Sequence, residues 1–414
     1  MASKPNKAKP KAPVKSPVKA PVKASVTTQV NPALSRLAQT VDEIGRAYKS
    51  IGDPDFVKTG SIVMDALLGG GVPRGCFILW SSHSGVGKST GSLFIAKSYC
   101  SQGLKVLYLD FEGGVNDSQL RGIGLSEHLF DAKKNPNGSF FCYKVQTYTD
   151  AEKFLDALIT DIDLVIIDSV TALLPEKLKM NSVEDIQPGL QSRLTANLLL
   201  KYKATSVRNG TSWILINQMR THIRFVGQTT EEEAGGLALK FYVDYRIMMK
   251  KAKGGDLEKT EITPLGAKKV PYGSLNEVWC IKSRYSRPFI PLQLGIVFGR
   301  GISNNYAYKD FLEFKGCIRK DGAWYTINVG NLSGKMQGEQ AVIDWIVANR
   351  EAVKEFIEAN GKYRLLMNEK DSLDVVDENV ISDGFGEVCD TDSEKEGGEG
   401  SIVVGNLDDE NFNE

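Results

Sequence analysis

The chain has 414 residues, of which 42% are hydrophobic and 25% charged, so its length allows two or three domains and its composition is that of a soluble globular protein. No apolar run approaches the roughly 18 residues that a membrane-spanning helix needs, and the N-terminal lysines are not followed by the apolar stretch of a secretory signal. Six cysteines without C-x-x-C pairs or nearby histidines indicate free thiols, which exclude a disulfide scaffold or zinc site and favour a cytoplasmic protein.

The formal net charge of zero hides opposite charges at the two ends of the chain. Residues 1–23 carry seven lysines and no acid, whereas residues 369–414 carry sixteen acids and two lysines, a net charge of −14. Everything before residue 369 therefore carries +14. This distribution is typical of a polyanion-binding protein with its own competing tail, although two merely solubilising ends would give the same composition.

The N-terminal region divides into an arm and a short helix. Residues 1–30 repeat P-V-K with prolines four residues apart, which forbids a regular helix and predicts a disordered Lys/Pro-rich arm. The arm is either a nucleic-acid contact or a passive linker. Residues 31–52 show helical spacing and predict an N-terminal oligomerisation helix, or else a helix that packs on its own core. Its apolar stripe consists of Leu34, Leu37, Val41, Ile44 and Tyr48.

Between residues 53 and 305, short apolar runs alternate with helical stretches, and this predicts an α/β fold with a mostly parallel sheet covered by helices. The predicted strands are "CFILW", "KVLYLDF", "DLVIIDS", "TSWILIN" and "YRIMMK", and the predicted helices include "STGSLFIAKSYC" and "QSRLTANLLLKYKATSV". Residues 306–368 predict a small C-terminal α/β domain in which "AVIDWIVANREAVKEFI" forms one or two amphipathic helices. Residues 369–414 predict a disordered acidic tail.

The segment "SSHSGVGKST" has the character of a phosphate-binding loop between a strand and a helix. The pattern G-x-x-x-x-G-K-[ST] would place a glycine where this chain has Ser82, and serine is suitable there if its φ is not strongly positive. Lys88 would reach the β- and γ-phosphates of ATP, and the Ser89 hydroxyl would bind Mg²⁺. The predicted nucleotide-binding residues are Ser82, His83, Ser84, Gly85, Val86, Gly87, Lys88, Ser89 and Thr90.

Acidic residues follow two of the predicted strands. "LVIIDS" brings Asp168 to the end of a buried strand, where it would either hold Mg²⁺ through water or cap the next helix. "LYLDFEGG" brings Asp110 and Glu112 to one side of a strand of period two. Glu112 would polarise the water that attacks the γ-phosphate, and a structural carboxylate is the alternative.

In their order along the chain, these motifs resemble those of the bacterial RecA recombinases and their phage counterparts of the UvsX type. The resemblance covers roughly residues 55–350 and implies a RecA-like P-loop NTPase core that uses ATP and Mg²⁺. The matching segments are "TGSIVMDALLGGGVPRG", "SGVGKST", "LDFEGG", "IIDSVTALLPE", "INQMR", "GGLALKFY" and "GAWY".

This resemblance implies roles for residues around the nucleotide and for two DNA-binding loops. Glu112 corresponds to the water-activating residue and Gln218 to the γ-phosphate sensor, from which one mobile DNA-binding loop, Met219–Ala234, begins. The second loop would be Glu176–Gly189. The pair Gly235 and Gly236 and the basic Arg193 also fall on DNA-side positions, although a helix-surface ion pair is an equal interpretation of Arg193.

The residues of the first loop support DNA binding by their own chemistry. Arg220, His222, Arg224 and Phe225 combine positive charge with an aromatic ring, as is expected of a surface that holds single strands. The acidic run Glu231–Glu233 does not fit this interpretation.

The segment "CIKSRYSRPF" resembles the family strand whose basic residues reach the ATP of the adjacent subunit. Lys282 and Arg284 are two residues apart and would share a face, either in that catalytic role or as a solvated basic face. Two positions depart from the family pattern: the adenine-stacking tyrosine falls on Gln119, and the neighbouring acid falls on Asn116.

These features together predict a DNA-dependent ATPase that forms a homo-oligomeric filament on single-stranded DNA and pairs it with homologous duplex DNA for strand exchange. A single-strand-binding protein or a loader is a further candidate partner, and no membrane is expected. One alternative is a ring helicase motor with a similar core. A second, from another class, is a scaffold that binds ATP and DNA without hydrolysis, against which Glu112 and Gln218 argue.

Overall fold

The computed structural model describes residues 54–173, 190–223, 229–234, 236–263 and 266–359. Those from Asp55 onward belong to one compact unit. The predicted arm, the oligomerisation helix, the loop Glu176–Gly189 and the acidic tail lie outside the described residues and stay predictions. Within the described ranges, no helix is long and apolar enough to cross a membrane.

Strands and helices alternate through most of the described chain. The strands are β1 (Phe56–Val57), β2 (Val72–Pro73), β3 (Phe77–Ser82), β4 (Val106–Asp110), β5 (Phe140–Lys144), β6 (Leu164–Asp168), β7 (Ser212–Ile223), β8 (Thr229–Glu233), β9 (Tyr245–Thr263), β10 (Gly266–Lys282), β11 (Leu292–Val297), β12 (Gly301–Ser303), β13 (Ile318–Asp321), β14 (Trp324–Val329) and β15 (Leu332–Gln337). The α-helices are α1 (Ile62–Leu68), α2 (Lys88–Ser101), α3 (Asp117–Ile123), α4 (Tyr148–Leu158), α5 (Leu190–Asn209), α6 (Gly236–Tyr242), α7 (Asn305–Phe314), α8 (Glu339–Ala348) and α9 (Arg350–Ala359).

The central sheet is mostly parallel, which confirms the predicted α/β class. Its order is β12-β11-β10-β9-β3-β7-β6-β4-β5, and the pairs from β9 to β5 are all parallel. The strands β3, β4 and β6 are buried along their whole length, because helices cover both faces. Alternate residues of β3 enter two hydrophobic clusters: Ile78 and Trp80 pack with α2, whereas Phe77 and Leu79 pack with α4 and α5.

An antiparallel extension completes the sheet. The predicted strand "YRIMMK" is the start of β9, which continues to Thr263 and returns as β10 in a long hairpin with three register irregularities. Sequence patterning missed the outer part of this hairpin because it is polar and contains Gly254 and Gly255, so apolar alternation is absent there. The hairpin is stabilised by its backbone pairing, and Leu257 in its outer part packs with Tyr306.

The elements after β12 form a second, smaller core. The three antiparallel strands β13, β14 and β15 pack with α7, α8 and α9 around a cluster that includes Phe311, Ile327 and Ile346. The predicted amphipathic segment forms two helices, with Asn349 between them. The boundary at residues 305–306 stays a prediction.

Candidate nucleotide-binding and DNA-facing site

The phosphate-binding loop connects β3 to α2. Gly85 and Gly87 have φ angles of +77° and +104°, a backbone region that glycine adopts without strain. Ser82 ends β3, is fully buried, and does not have a positive φ, since Phe289 is the one residue other than glycine with positive φ in the described chain. The structure therefore meets the condition under which serine can replace the usual first glycine.

Lys88, the first residue of α2, lies folded into this loop. Its Nζ donates to Ser82 O at 3.0 Å, Ser82 Oγ at 2.7 Å and His83 O at 2.9 Å. Burial lowers the pKa of Lys88 to about 8, and the negative charges of Asp168 and Glu112 partly oppose this change. A cation held by neutral oxygen atoms is well prepared to exchange them for phosphate oxygens.

Asp168 ends β6 directly beside the loop. Its Oδ2 accepts a hydrogen bond from Tyr108 Oη at 2.7 Å, and within the described chain its Oδ1 is buried with no hydrogen-bond partner. Burial raises the pKa of Asp168, and the hydroxyl groups of Ser89 and Tyr108 oppose that increase. An unpartnered buried carboxylate oxygen near a serine hydroxyl is a donor set that fits Mg²⁺ or a water bound to it.

Glu112 and Gln218 are in contact, although 106 residues separate them in the sequence. Glu112 Oε1 accepts hydrogen bonds from Gln218 Nε2 at 3.0 Å and from Ser169 Oγ at 2.5 Å. The expectation that Asp110 and Glu112 share one side of a strand is wrong, because β4 ends at Asp110. The Asp110 carboxylate instead accepts the backbone N–H groups of residues 113 and 115 and so orders the loop that carries Glu112.

A cavity of about 250 Å³ opens between these elements. It brings together most of the predicted nucleotide-site residues, whereas Val86 packs in the hydrophobic core and Ser82 and His83 lie outside the lining. Sequence reasoning missed Ile296 and the exposed Phe298, because no chemical pattern marks β11 and its neighbour as part of a site. The lining residues are Ser84, Gly85, Gly87, Lys88, Ser89, Thr90, Glu112, Asp168, Ile216, Gln218, Ile296 and Phe298.

The predicted mobile loop Met219–Ala234 forms a β-hairpin in its described part. The strand β7 runs on past Gln218 to Ile223 and pairs with β8, with Met219 opposite Glu233. Arg220 is exposed on β7 opposite Glu232, and His222 is also a residue of β7. Arg224, Phe225 and Gly235 lie outside the described residues.

The last acid of the run that sequence analysis left unexplained has a structural role. Glu233 is buried, and its carboxylate accepts from Ser81 Oγ at 2.9 Å and forms an ion pair with Arg246. Asn217 Nδ2 donates to Ala234 O at 2.9 Å in the same network. Because Ser81 precedes the phosphate-binding loop, these contacts fix the hairpin to the strand that leads into the nucleotide site.

Two further predicted DNA-facing positions lie next to one another. Arg193 is exposed in the first turns of α5. Gly236 begins α6 with a φ of +70°, and a Cβ there would lie 2.8 Å from Ser192 Oγ. Glycine at 236 therefore permits the close approach of the two helix starts.

Lys282 and Arg284 contact the end of α6. Lys282 Nζ donates to the carbonyl oxygens of residues 240, 241 and 243, and Arg284 lies 2.7 Å from Asp244. Burial lowers the pKa of Lys282, and Asp244 opposes this change. Neither Lys282 nor Arg284 is among the described residues that line the cavity.

Asn116, one of the two departures from the family pattern, has a local role. Asn116 is the N-cap of α3, and its Oδ1 accepts from the backbone N–H of Gln119 at 3.0 Å. An asparagine is among the preferred residues at that position. It therefore sets the start of α3 beside the loop of Glu112.

Known proteins resemble this chain over most of its length. The RecA N-terminal domain family matches residues 43–303. Protein RecA of Mycobacterium marinum (strain ATCC BAA-535 / M) is 31% identical over 303 residues, covering 72% of this chain and 81% of that protein. Protein RecA of Haemophilus ducreyi is 29% identical over 382 residues, covering 87% and 96%. Among solved structures, the RadB recombinase matches 60% of this chain and 98% of its own, with 20% identity and a TM-score of 0.42.

The matched family region spans well over half of the 414 residues. It includes the phosphate-binding loop, the strand that ends at Asp168 and the hairpin that begins after Gln218. The chain therefore belongs to the RecA family, whose members are ATP-binding, DNA-dependent ATPases with a recombinase role in homologous pairing and strand exchange.

Proposed function

We propose that this protein hydrolyses ATP in response to single-stranded DNA, assembles on it as a filament and exchanges strands with homologous duplex DNA. The observation that carries the proposal is the hydrogen bond from Gln218 to Glu112. In this proposal, Glu112 activates water beside the nucleotide, and Gln218 is the residue from which the DNA-facing hairpin starts. Nucleotide binding would therefore alter the DNA-facing hairpin, and DNA binding would alter the position of Glu112.

In the proposed hydrolysis, Glu112 orients the attacking water and accepts its proton as the γ-phosphate is displaced. Lys88 and the backbone N–H groups of the loop hold the β- and γ-phosphates. Ser89 and Asp168 would hold Mg²⁺, which neutralises phosphate charge in such transfers. Gln218 holds the Glu112 carboxylate until a γ-phosphate competes for its amide group.

In the proposed DNA contact, the β7–β8 hairpin and the starts of α5 and α6 form one surface. Arg193 and Arg220 are exposed there, and the closeness of Gly236 to α5 brings the two predicted DNA-facing segments together. Exposed guanidinium groups suit the phosphates of a single strand. His222, Arg224, Phe225 and Gly235 complete the proposed surface from sequence reasoning alone.

In the proposed filament, Lys282 and Arg284 act on the ATP of the adjacent subunit. They meet the end of α6, where Phe241 exposes 76% of its surface. Aromatic and arginine side chains are enriched at protein-protein interfaces, and this enrichment supports the proposed contact between subunits. In this arrangement, the hydrogen bonds of Lys282 to α6 and the pair between Arg284 and Asp244 hold both cations ready in the free chain.

Phosphate release measured with and without single-stranded DNA tests this function. The wild type is expected to release phosphate faster with DNA, and Glu112→Gln is expected to bind nucleotide but release little phosphate in either condition. Glu127→Gln is a matched control, since this acid is exposed on the short helix Ser126–His128. Nucleotide and DNA binding without any phosphate release by the wild type would favour the scaffold alternative instead.

A further inference from the structure

The hydroxyl group of Tyr108 lies against the carboxylate proposed to hold Mg²⁺. Tyr108 is a fully buried residue of β4, and it is opposite Ile166 in the parallel pairing with β6. Its side chain reaches forward to the strand end, where Oη is 2.7 Å from Asp168 Oδ2. The phenol group of Tyr108 is thus buried next to the site, but Tyr108 is not among the described residues that line the cavity.

Proton counting fixes the direction of this hydrogen bond. An ionised carboxylate only accepts, so the single Tyr108 proton is donated to Asp168 Oδ2. Ser92 Oγ lies 3.4 Å from Tyr108 Oη, but Ser92 donates its own proton to Ser89 O at 2.9 Å. The Tyr108 proton is therefore committed to Asp168.

The two oxygens of Asp168 consequently differ. Oδ2 has the Tyr108 hydroxyl as a partner, whereas Oδ1 is buried without a hydrogen-bond partner in the described chain. Rotation of the carboxylate away from this orientation would break the bond with Tyr108. The bond therefore holds one particular oxygen available for a ligand beside Ser89.

We propose that Tyr108 is a positioning residue, which holds the Asp168 carboxylate so that Oδ1 faces Mg²⁺ or a water bound to it. The inference rests on the proposed nucleotide site. Phenylalanine at position 108 would keep the packing of the ring but leave Oδ2 without its donor. The carboxylate would then lose its fixed orientation, as happens when a partner of a metal ligand is removed.

The test compares Tyr108→Phe with Tyr99→Phe by titrating Mg²⁺ against the binding of a fluorescent ATP analogue. Tyr99 is a matched control because it is also fully buried in the same hydrophobic cluster, and its hydroxyl has no hydrogen-bond partner in the described chain. In Tyr108→Phe, the Mg²⁺ concentration at half-maximal tightening is expected to rise about tenfold. Affinity with a chelator present is expected to stay at the wild-type value, and Tyr99→Phe is expected to follow the wild-type curve.

Thermal unfolding of all three proteins first establishes that they are folded at the assay temperature. The inference is overturned if the Mg²⁺ titration curve of Tyr108→Phe superimposes on that of the wild type, or if Tyr108→Phe and Tyr99→Phe shift the Mg²⁺ midpoint equally. Neither result would contradict the proposed nucleotide site. A wild type whose nucleotide binding ignores Mg²⁺ would overturn the proposed metal site itself.

Discussion

Replacing Glu233 by alanine should test whether the DNA-facing hairpin is fixed to the nucleotide-binding strand. The Glu233 side chain is 3% exposed and that of its partner Arg246 is 22% exposed. The substitution would leave the Arg246 guanidinium and the Ser81 hydroxyl without this acceptor. Removing one member of a buried ion pair costs about 3–5 kcal/mol, and the partial exposure of Arg246 favours the lower end, about 3 kcal/mol.

Glu232 offers a matched control on the same strand. Its side chain is 61% exposed and lies 3.8 Å from Lys240, so Glu232→Ala should change the free energy of unfolding by less than about 1 kcal/mol. Urea unfolding followed by tryptophan fluorescence measures both values. Phosphate release with DNA should also fall in Glu233→Ala, because the hairpin loses its attachment. Equal losses of stability in the two variants would refute the assigned role of Glu233.

Four further outcomes are expected. Lys88→Ala should reduce phosphate release by roughly a hundredfold or more. Ser82→Gly should stay close to wild type, because Lys88 would lose the Ser82 hydroxyl as an acceptor but keep the two backbone carbonyl oxygens of residues 82 and 83. Because burial lowers the pKa of Lys88 to about 8, equilibrium nucleotide affinity should be full below pH 8 and decline as the pH rises through 8, a decline that Lys88→Arg should lack. Lys282→Ala and Arg284→Ala monomers should still bind ATP, but the ATPase rate of their filaments should fall by roughly a thousandfold. Mixing either variant with Lys88→Ala should restore some turnover, and no restoration would mean that the two cations act only within their own chain. Deleting residues 369–414 should strengthen duplex binding most at low salt, and superimposable salt series for the two proteins would contradict a competing tail.

Local patterns were sufficient to predict the centre of the fold. The strands β3, β4 and β6 are continuous apolar runs because helices cover both faces of the sheet. The glycines, lysine and serine of the loop from Ser82 to Ser89 are the residue types that phosphate binding needs, so the sequence alone predicts that function. The helical spacing of apolar residues predicted one or two amphipathic helices near the C-terminal end of the described chain, and the structure has two.

Partners that are distant in sequence could not be predicted in this way. From the sequence, Glu233 is predicted to be an acidic loop residue. Its contacts with Arg246 and Ser81 exist only in the folded chain. The apolar run around Tyr108 predicts only a core residue. Its hydrogen bond to Asp168 depends on the pairing of β4 with β6, which the sequence pattern does not specify. Hairpin register and such long-range hydrogen bonds are properties of the assembled sheet and leave little trace in local periodicity.

The most direct test of the account is the ratio of phosphate release with and without single-stranded DNA in Gln218→Ala. Gln218 joins the water-activating residue to the start of the DNA-facing hairpin, so its amide is the proposed link between the two sites. The wild type and a Gln340→Ala control, at an exposed position of α8, should both be stimulated by DNA, whereas the ratio for Gln218→Ala should fall to about one. A Gln218→Ala protein that DNA stimulates as strongly as the wild type would contradict the coupling.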